Sequence, residues 1–361
     1  MDPPESASAS DAAARDGSGN RYAHVVRFTL DMSGPVPAID PASGVILVGA
    51  AGQSLSDISG GGAQNFTDPT HAAGVASDRI FDAEDRVIGG FKQDYIKVDS
   101  QSHAGGRLLF GPDGMLYVTT GDGTSFNYHD PRAPDVQSLD SLSGKVLRID
   151  PITGRGLADN PFAGEAEDLD ANRAKIWQSG LRNPFSATFD EEGRLFLADV
   201  GWSTDEELNN GGPGANFGWP FYEGGDGGVL LETPDYREQP GAAAFYAAVE
   251  AGTIVITPAY RAFGHAAEVP GFRMQAIIMG ALVPESGAYP EDLEGHLLFS
   301  DYIGGNLLTV DSDNSVDAQF LLDWPGERGP IHMTVGADGQ PGAHRRLAGD
   351  GQCRGGDLQR R

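Results

Sequence analysis

Short apolar runs separated by glycine-rich turns dominate the pattern of hydrophobic and polar positions along this chain. The clearest case is residues 103–123, H-A-G-G-R-L-L-F-G-P-D-G-M-L-Y-V-T-T-G-D-G, where apolar runs at 108–110 and 115–119 flank the turn G-P-D-G. Gly and Asp adopt turn conformations that bulkier residues resist, so this pattern predicts a β-hairpin. Further strands are predicted at residues 22–30 and, after the turn P-A-S-G, at 45–48.

The same succession of apolar run, acidic-glycine turn and returning strand recurs further along the chain. A strand at 144–149 is followed by runs at 187–189 and 195–198 around E-E-G, by a weaker copy at 294–302, and by the start of another at 335–339. Repeated hairpins without intervening helices predict a β-propeller, whose blades are four-stranded sheets around a channel. A β-sandwich of unrelated hairpins is the alternative. The copies end in Gly-Asp, Ala-Asp or Ser-Asp, which favours a propeller with these polar ends gathered on one face.

The polar residues beside these strand ends are the candidate site: His103, Asp122, Arg182, Asn183 and Asp199. A histidine and a carboxylate can act as a base and the group that orients it; a surface His and a turn Asp are the alternative interpretation. Arg182 has apolar neighbours in the sequence, so its charge needs an anion or a carbonyl partner. A structural ion pair would satisfy that need equally well.

A run of hard oxygen donors follows the hairpin and suggests a second kind of chemistry. It comprises Asp122, Thr124, Ser125, Asn127 and Asp130. Carboxylate, hydroxyl and amide oxygens are the ligands that Ca²⁺ prefers. The run is therefore a candidate cation site.

Composition supports an all-β protein and narrows the partners. The chain has 51 glycines and 23 prolines spread between its apolar runs, which is typical of sheets and turns. A formal net charge of -27 argues against nucleic acid as a partner, because its phosphates would be repelled. Cys353 is the single cysteine, so neither a disulfide framework nor a thiolate metal cluster is expected. No apolar run is long enough to span a membrane.

The two ends differ from the body of the chain. Residues 1–20 are rich in Ala, Ser, Asp and Gly and are predicted to be a disordered lead. They lack a signal peptide, so the protein is either cytosolic or part of a longer secreted chain; we expect the latter, in an extracellular or periplasmic setting. Residues 21–340 are predicted to form the propeller. Residues 341–361 are an atypical basic tail, with five Arg and two Asp from position 345 onward, consistent with a frameshift or truncation.

From His103 to about residue 223 the sequence resembles the soluble quinoprotein glucose/sorbosone (aldose sugar) dehydrogenase family. The matching segments are the hairpin, L-S-G-K-V-L-R-I-D, D-N-P-F, G-L-R-N-P-F, D-V-G-W-S-T-D-E-E-L-N and G-A-N-F-G-W-P-F-Y-E-G. The resemblance implies a six-bladed β-propeller that binds pyrroloquinoline quinone (PQQ) and Ca²⁺ on its top face, with a sugar substrate and a separate electron acceptor as partners. The propeller is expected to be incomplete at its first blade and at its C-terminal closure.

Carried over by position, the resemblance also implies roles for individual residues. His103 would be the base that takes the proton from the anomeric hydroxyl of the sugar, and Asp122 would orient it. Arg182 would lie against the quinone oxygens, with Asn183 binding beside it. The backbone carbonyl of Gly201 would hold the Ca²⁺.

The chain departs from the family pattern at several of these places. Trp202 completes the predicted metal loop where Pro is common. The late-blade positions that supply a Lys and two Arg for the PQQ carboxylates hold Ile303, Gly329 and Ile331, with Arg328 nearby. Because charged hydrogen bonds contribute roughly 1.5–3 kcal/mol each, weak PQQ binding is expected.

Three functions follow from these observations. The first is PQQ-dependent oxidation of the anomeric C–OH of aldose sugars by hydride transfer to the quinone. The second is a non-catalytic propeller of the same lineage that binds carbohydrate or protein. The third is a Ca²⁺-dependent hydrolase or lactonase, which would need several side-chain carboxylates converging on one metal. The presence of His103, Asp122 and Arg182 at the family positions favours the first, and the missing late-blade cations favour the second.

Overall fold

In the computed structural model the chain is built mainly from antiparallel strands joined by short turns. The structure describes residues 22–49, 51, 79–81, 87–91, 93–97, 103–124, 129–166, 168–225, 227–239, 241–265, 274–285, 289–323, 328–335, 341–345 and 354–357. Within these ranges two α-helices occur, α1 (Asn172–Lys175) and α2 (Ala242–Glu250). No described helix is long and apolar enough to cross a bilayer.

The strands pair antiparallel, most of them with the next strand along the chain. Their bounds are β1 Tyr22–Ala23, β2 Val25–Asp31, β3 Ala38–Val48, β4 Arg79–Phe81, β5 Val87–Phe91, β6 Ile96–Lys97, β7 Leu108–Phe110, β8 Leu116–Thr120, β9 Lys145–Ile149, β10 Ile176–Ser179, β11 Pro184–Phe189, β12 Leu195–Asp199, β13 Asp205–Asn210, β14 Arg261–Gly264, β15 Ile277–Leu282, β16 His296–Asp301, β17 Asn306–Asp311, β18 Asn314–Asp323, β19 His332–Val335, β20 Pro341–Arg345 and β21 Arg354–Asp357.

Three four-stranded sheets form the centre of the described structure. Their orders are β7-β8-β9-β10, β11-β12-β13-β14 and β15-β16-β17-β18, and β19-β20-β21 makes a three-stranded sheet after them. The predicted central hairpin is confirmed, since Leu108 pairs with Val118 and Phe110 with Leu116. Each sheet is a meander in sequence order, as expected of propeller blades.

The sheets stack face to face, so a strand of the middle sheet is covered on one face by the preceding sheet and on the other by the following sheet. Leu195 and Leu197 of β12 pack toward the sheet that contains β8 and β9, whereas Phe196 and Ala198 pack toward the β15–β18 sheet. Burying one such side chain contributes about 1.5–3 kcal/mol, so continuous apolar runs rather than alternating ones are favoured here. The first strands of consecutive sheets also contact each other, β11 with β15 and β15 with β19. The fold is a β-propeller.

In the described part of residues 22–97 the sheets are two-stranded, with β1 paired to β6, β2 to β3 and β4 to β5. Strands β2 and β3 form a two-stranded sheet, and the paired residues Leu30 and Ile39 are 54% and 59% exposed on one face of it. The turn predicted at 41–44 is wrong, because these residues lie inside β3. A register irregularity opposite them, between Arg27 and Thr29, accommodates the proline and glycine without ending the strand. The six-blade total stays a prediction.

Two further elements were not anticipated from the pattern. Helix α2 has the sequence A-A-A-F-Y-A-A-V-E, whose alanines favour a helix; its Phe245 ring lies 4.6 Å from that of Phe221. At the other end, Pro341–Arg345 pairs with β19, so part of the predicted atypical tail is a strand. Backbone pairing sets this strand, whereas the sequence prediction relied on side-chain composition.

Candidate active site

His103 lies a few residues before β7 in a backbone conformation that few side chains adopt. Its φ is 55°, in the left-handed region where His is one of the better tolerated residues. Its carbonyl accepts a hydrogen bond from the N–H of Gly123 at 3.1 Å. A Cβ on Gly121 would lie 2.2 Å from that same carbonyl oxygen. Glycine at 121 therefore allows the close approach that holds His103 against the end of β8.

The imidazole of His103 is paired with the carboxylate of Asp122, as the sequence predicts. Nδ1 lies 2.9 Å from Oδ1 of Asp122, and the two residues are 6% and 0% exposed. Asp122 is itself fixed: Oδ2 accepts from the indole Nε1 of Trp219 at 2.9 Å and Oδ1 accepts from the N–H of Thr124 at 2.9 Å. A buried, fully bonded carboxylate of this kind holds the ring in one orientation.

The Asp122 carboxyl stays ionised despite its burial. Burial by itself raises the pKa of Asp122, but the charge and hydrogen bond of His103, together with the charge of Arg182, outweigh it and lower the pKa to about 2. An ionised acceptor at Nδ1 assigns the ring proton to Nδ1 in the neutral imidazole. Nε2 is then the basic nitrogen of His103.

Arg182 lies next to this pair and is 5% exposed. Its carbonyl accepts from the N–H of Asp122 at 2.8 Å, which links the two strand ends directly. Its guanidinium Nη1 donates to the carbonyl oxygens of Val200 at 2.7 Å and Gly201 at 2.6 Å. The rings of Trp202 and Trp219 lie 5.4 Å and 5.5 Å from its Cζ, within range of cation–π attraction. The carbonyl partner that the sequence demanded is therefore present.

Glu223 organises the turn that supplies these carbonyls. Its carboxylate accepts from the backbone N–H of Trp202, from that of Ser203 at 3.2 Å and from the hydroxyl of Thr204 at 2.7 Å. A Cβ on Gly201 would lie 1.7 Å from the carbonyl oxygen of Asp205, so only glycine fits the tight backbone there. The turn thus directs its N–H groups at Glu223 and its carbonyls at Arg182.

Asn183 and Asp199 lie at the same strand ends, linked through the backbone N–H of Asn183, and cofactor binding by Asn183 stays a prediction. The carboxylate of Asp199 accepts from the N–H of Arg182 at 2.9 Å and from that of Asn183 at 2.6 Å. Asp301 does the same in the next sheet, accepting from the N–H of Ala276 at 3.0 Å. Asp199 thus joins the end of β12 to the start of β11, and Asp301 joins the end of β16 to the start of β15. Of the three strand-end aspartates, Asp122 alone bonds to an imidazole.

Sequence reasoning from the strand ends missed two residues that complete the site, Trp219 and Glu223. Both lie in the segment G-A-N-F-G-W-P-F-Y-E-G, whose sequence alone does not indicate which side chains reach the site. The rim residues Asp235 and His129 were missed as well. The indole Nε1 of Trp202 lies 3.2 Å from Asp235, and the ring of His129 lies edge-on to Trp202 at 5.5 Å.

A further buried carboxyl, Glu207, lies behind the site on β13. Burial raises its pKa, the charge of Asp199 raises it further, and hydrogen bonds from Gly224 and Asn209 lower it, with a net value of about 8. Its oxygens accept from the N–H of Gly224 at 2.5 Å and from Nδ2 of Asn209 at 2.9 Å. Burial also raises the pKa of Asp199, to about 7, so near neutral pH these two neighbouring carboxyls share at least one proton.

We expect the stability of the protein to fall as pH rises through the pKa of Glu207. The folded state keeps a proton that the unfolded chain releases near pH ~4.3, so the stabilisation present at low pH is lost as pH rises through about 8. Glu207→Gln, which cannot ionise, should flatten this decline in urea unfolding between pH 5 and 9. The Oδ1 of Asn209 has no hydrogen-bond partner in the described structure. The Asn209 side chain can therefore rotate so that this oxygen accepts from the amide of the introduced glutamine.

Glu192→Gln is the matched control, since the Glu192 side chain is 64% exposed and its loss should leave the pH dependence unchanged. An equally steep decline in Glu207→Gln and wild type would show that another group titrates.

Comparison with known proteins identifies the lineage of this site. The family model described as Glucose / Sorbosone dehydrogenase matches residues 83–288, more than half of the 361-residue chain. The chain belongs to the glucose/sorbosone dehydrogenase family.

Among curated relatives of the family, HIPL2 protein from Arabidopsis thaliana is 40% identical over 142 residues, covering 35% of this chain and 19% of that protein. Quinoprotein glucose dehydrogenase B from Acinetobacter calcoaceticus is 33% identical over 138 residues, covering 35% of this chain and 27% of that protein. The matches thus span about a fifth to a quarter of the relatives' lengths. The soluble aldose sugar dehydrogenase of Escherichia coli, a solved structure, is 22% identical with a TM-score of 0.49, covering 74% of this chain and 68% of that one.

The three positions expected from the family resemblance to hold PQQ-binding cations are occupied by Ile303, Gly329 and Ile331. Ile303 is 40% exposed. A Cβ on Gly329 would lie 2.5 Å from the carbonyl oxygen of Asp301, so a side chain there is excluded as the backbone stands. Arg328 stacks over Tyr302 at 5.0 Å. Ile331 is partly buried.

The two carboxylates of the oxygen-rich run after the hairpin are each bonded to another side chain. Asp130 is bonded to Arg132, with Nε 2.7 Å from its Oδ1, and Asp122 is bonded to His103. Ser125 and Asn127 lie outside the described residues. Across the part of the chain that the structure describes, no group of three or more His, Cys, Asp or Glu side chains is arranged to hold a metal ion.

Proposed function

We propose that the protein oxidises the anomeric C–OH of an aldose sugar, with PQQ as the hydride acceptor and His103 as the base. The observation that carries the proposal is the buried His103–Asp122 pair beside Arg182. A base whose proton is assigned by an ionised partner, next to a fixed positive charge, is the arrangement that oxidation of a hydroxyl requires.

The described residues fit the quinone end of PQQ. His103 offers a basic nitrogen for the substrate hydroxyl, and Arg182 offers positive charge for oxygens that gain electrons. The positions Ile303, Gly329 and Ile331 offer no cation for the carboxylates, so we expect affinity to be weak. The Ca²⁺ predicted at Gly201 does not fit these residues, because the Gly201 carbonyl accepts from Arg182 at 2.6 Å.

If PQQ binds beside His103 and Arg182, it would supply the acceptor for the hydride of the sugar carbon. The chain's own residues would supply proton transfer and positioning. Nε2 of His103 takes the hydroxyl proton, and the resulting imidazolium is stabilised by the ionised Asp122. Trp219 and Thr124 hold that carboxylate in place, so the base does not need to reorient during the reaction. These contributions lie in the proton transfer and in positioning.

A non-catalytic propeller that binds carbohydrate or protein is the second candidate. It is favoured by the late-blade positions without cations and by the engagement of Arg182 with backbone carbonyls rather than with a pocket. On this alternative the His103–Asp122 pair would be a structural ion pair at the channel mouth.

Titrating the purified protein with PQQ, while following cofactor absorbance and sugar-dependent dye reduction, tests the proposal. Saturable PQQ binding with turnover on aldoses, and none on sugars whose anomeric carbon is blocked as a glycoside, is the expected result. Binding of sugar or protein without PQQ binding at micromolar cofactor would favour the second candidate.

A further inference from the structure

The guanidinium of Arg182 occupies a cradle made from backbone carbonyls. One nitrogen, Nη1, donates to two consecutive carbonyl oxygens, those of Val200 at 2.7 Å and Gly201 at 2.6 Å. Consecutive carbonyls turned to one point form a cation-binding concavity, since oxygen donors of this kind are the ligands of hard cations. In this chain the cation in that concavity is the guanidinium of Arg182.

The surrounding turn is shaped to keep the guanidinium there. Glu223 accepts the N–H groups of Trp202 and Ser203 and the hydroxyl of Thr204, which leaves the carbonyl side of the turn facing Arg182. The rings of Trp202 and Trp219 lie 5.4 Å and 5.5 Å from Cζ. The Trp202 ring is anchored in turn, because its Nε1 lies 3.2 Å from Asp235. Moving Arg182 would break both hydrogen bonds and both ring contacts.

Arg182 also balances the charge of the buried carboxylates. Burial raises the pKa of Asp199 to about 7 and also raises that of Glu223, and the charge of Arg182 opposes both rises; together with His103 it lowers the pKa of Asp122 to about 2. These carboxylates are 0%, 3% and 3% exposed, so they depend on a nearby cation. A divalent ion at the same carbonyls would be repelled by the guanidinium at close range and would have to displace it.

We propose that Arg182 is a built-in cation that takes the place of a metal at the Val200–Gly201 carbonyls, so that the site is organised without calcium. The rings of Trp202 and Trp219 flank the guanidinium in the cradle. This inference goes beyond the proposed activity and does not depend on it, since it is tested without sugar or PQQ.

The test compares calcium responses in the absence of any cofactor. For the wild-type protein we expect no heat of binding on titration with CaCl₂ and the same thermal midpoint in CaCl₂ and in EDTA. Arg182→Ala should lower the midpoint in EDTA and regain part of it in CaCl₂, by about 3–5 °C at a roughly hundredfold excess over the dissociation constant. MgCl₂ should restore less, because Mg²⁺ demands a stricter geometry.

Two further variants keep the test decisive. Arg155→Ala removes an arginine that is paired with Asp170 at the surface, and it should remain calcium-insensitive. Arg182→Lys keeps a cation in the cradle, so it should fold and stay insensitive even if Arg182→Ala does not fold in either buffer. Calcium-dependent stabilisation of the wild type, or a folded Arg182→Ala that ignores calcium, would overturn the proposal.

Discussion

Replacing His103 by alanine is expected to lower sugar oxidation by about 10²–10⁴-fold, the usual contribution of a positioned base. PQQ binding should be nearly unchanged, because the base acts mainly in the transition state. The imidazole is 6% exposed and bonded to Asp122, so its removal leaves that carboxylate without its principal partner. Steady-state kinetics with PQQ held above saturation, beside a PQQ titration, measure the two effects separately.

His296→Ala is the matched control for this variant. His296 is 8% exposed and its Nδ1 lies 3.1 Å from the Thr309 hydroxyl. It is the first residue of β16, whereas Asp301 is the last. It should reproduce the stability cost of losing a buried imidazole while keeping turnover per folded molecule. Comparable turnover in His103→Ala and His296→Ala would remove His103 from the mechanism.

Asp122→Asn is expected to have the second largest effect, a loss of about 10²–10⁴-fold in kcat. The asparagine amide can present an N–H to Nδ1 of His103, which moves the ring proton to Nε2 and abolishes the basic nitrogen there. It also removes the negative charge that stabilises the imidazolium. The pH dependence of kcat should shift with it, because the imidazole loses an ionised partner whose pKa is about 2.

A structural role for Asp122 alone would predict a different outcome. Asp190→Asn removes another buried, ion-paired aspartate, whose Oδ1 accepts from the N–H of Arg194 at 2.7 Å, and it should lower stability without changing the pH profile of kcat. If Asp122→Asn behaves like Asp190→Asn, so that only the unfolding midpoint falls, the base assignment fails.

Much of the fold could be predicted from the sequence because local chemistry and packing agree. The turn G-P-D-G and its flanking apolar runs specify a hairpin, and strands buried on both faces require the continuous apolar runs seen in L-F-L-A-D. The segment at 41–44 shows the limit of such reasoning. Its Pro and Gly indicate a turn, yet pairing with β2 carries the strand through them with an irregular register.

The sequence by itself also determined which residue types end the strands, and so it pointed to His103, Asp122 and Arg182. Only the tertiary structure decided that Asp122 bonds to an imidazole whereas Asp199 and Asp301 tie strands together, because all three follow similar runs in the sequence. It also brought Trp219, 97 residues from Asp122, onto the same carboxylate, and it turned Arg182 toward backbone carbonyls. Side-chain partners depend on which strand ends are brought together when neighbouring sheets stack. These ends are far apart in the chain, so the local sequence does not indicate which side chains will meet.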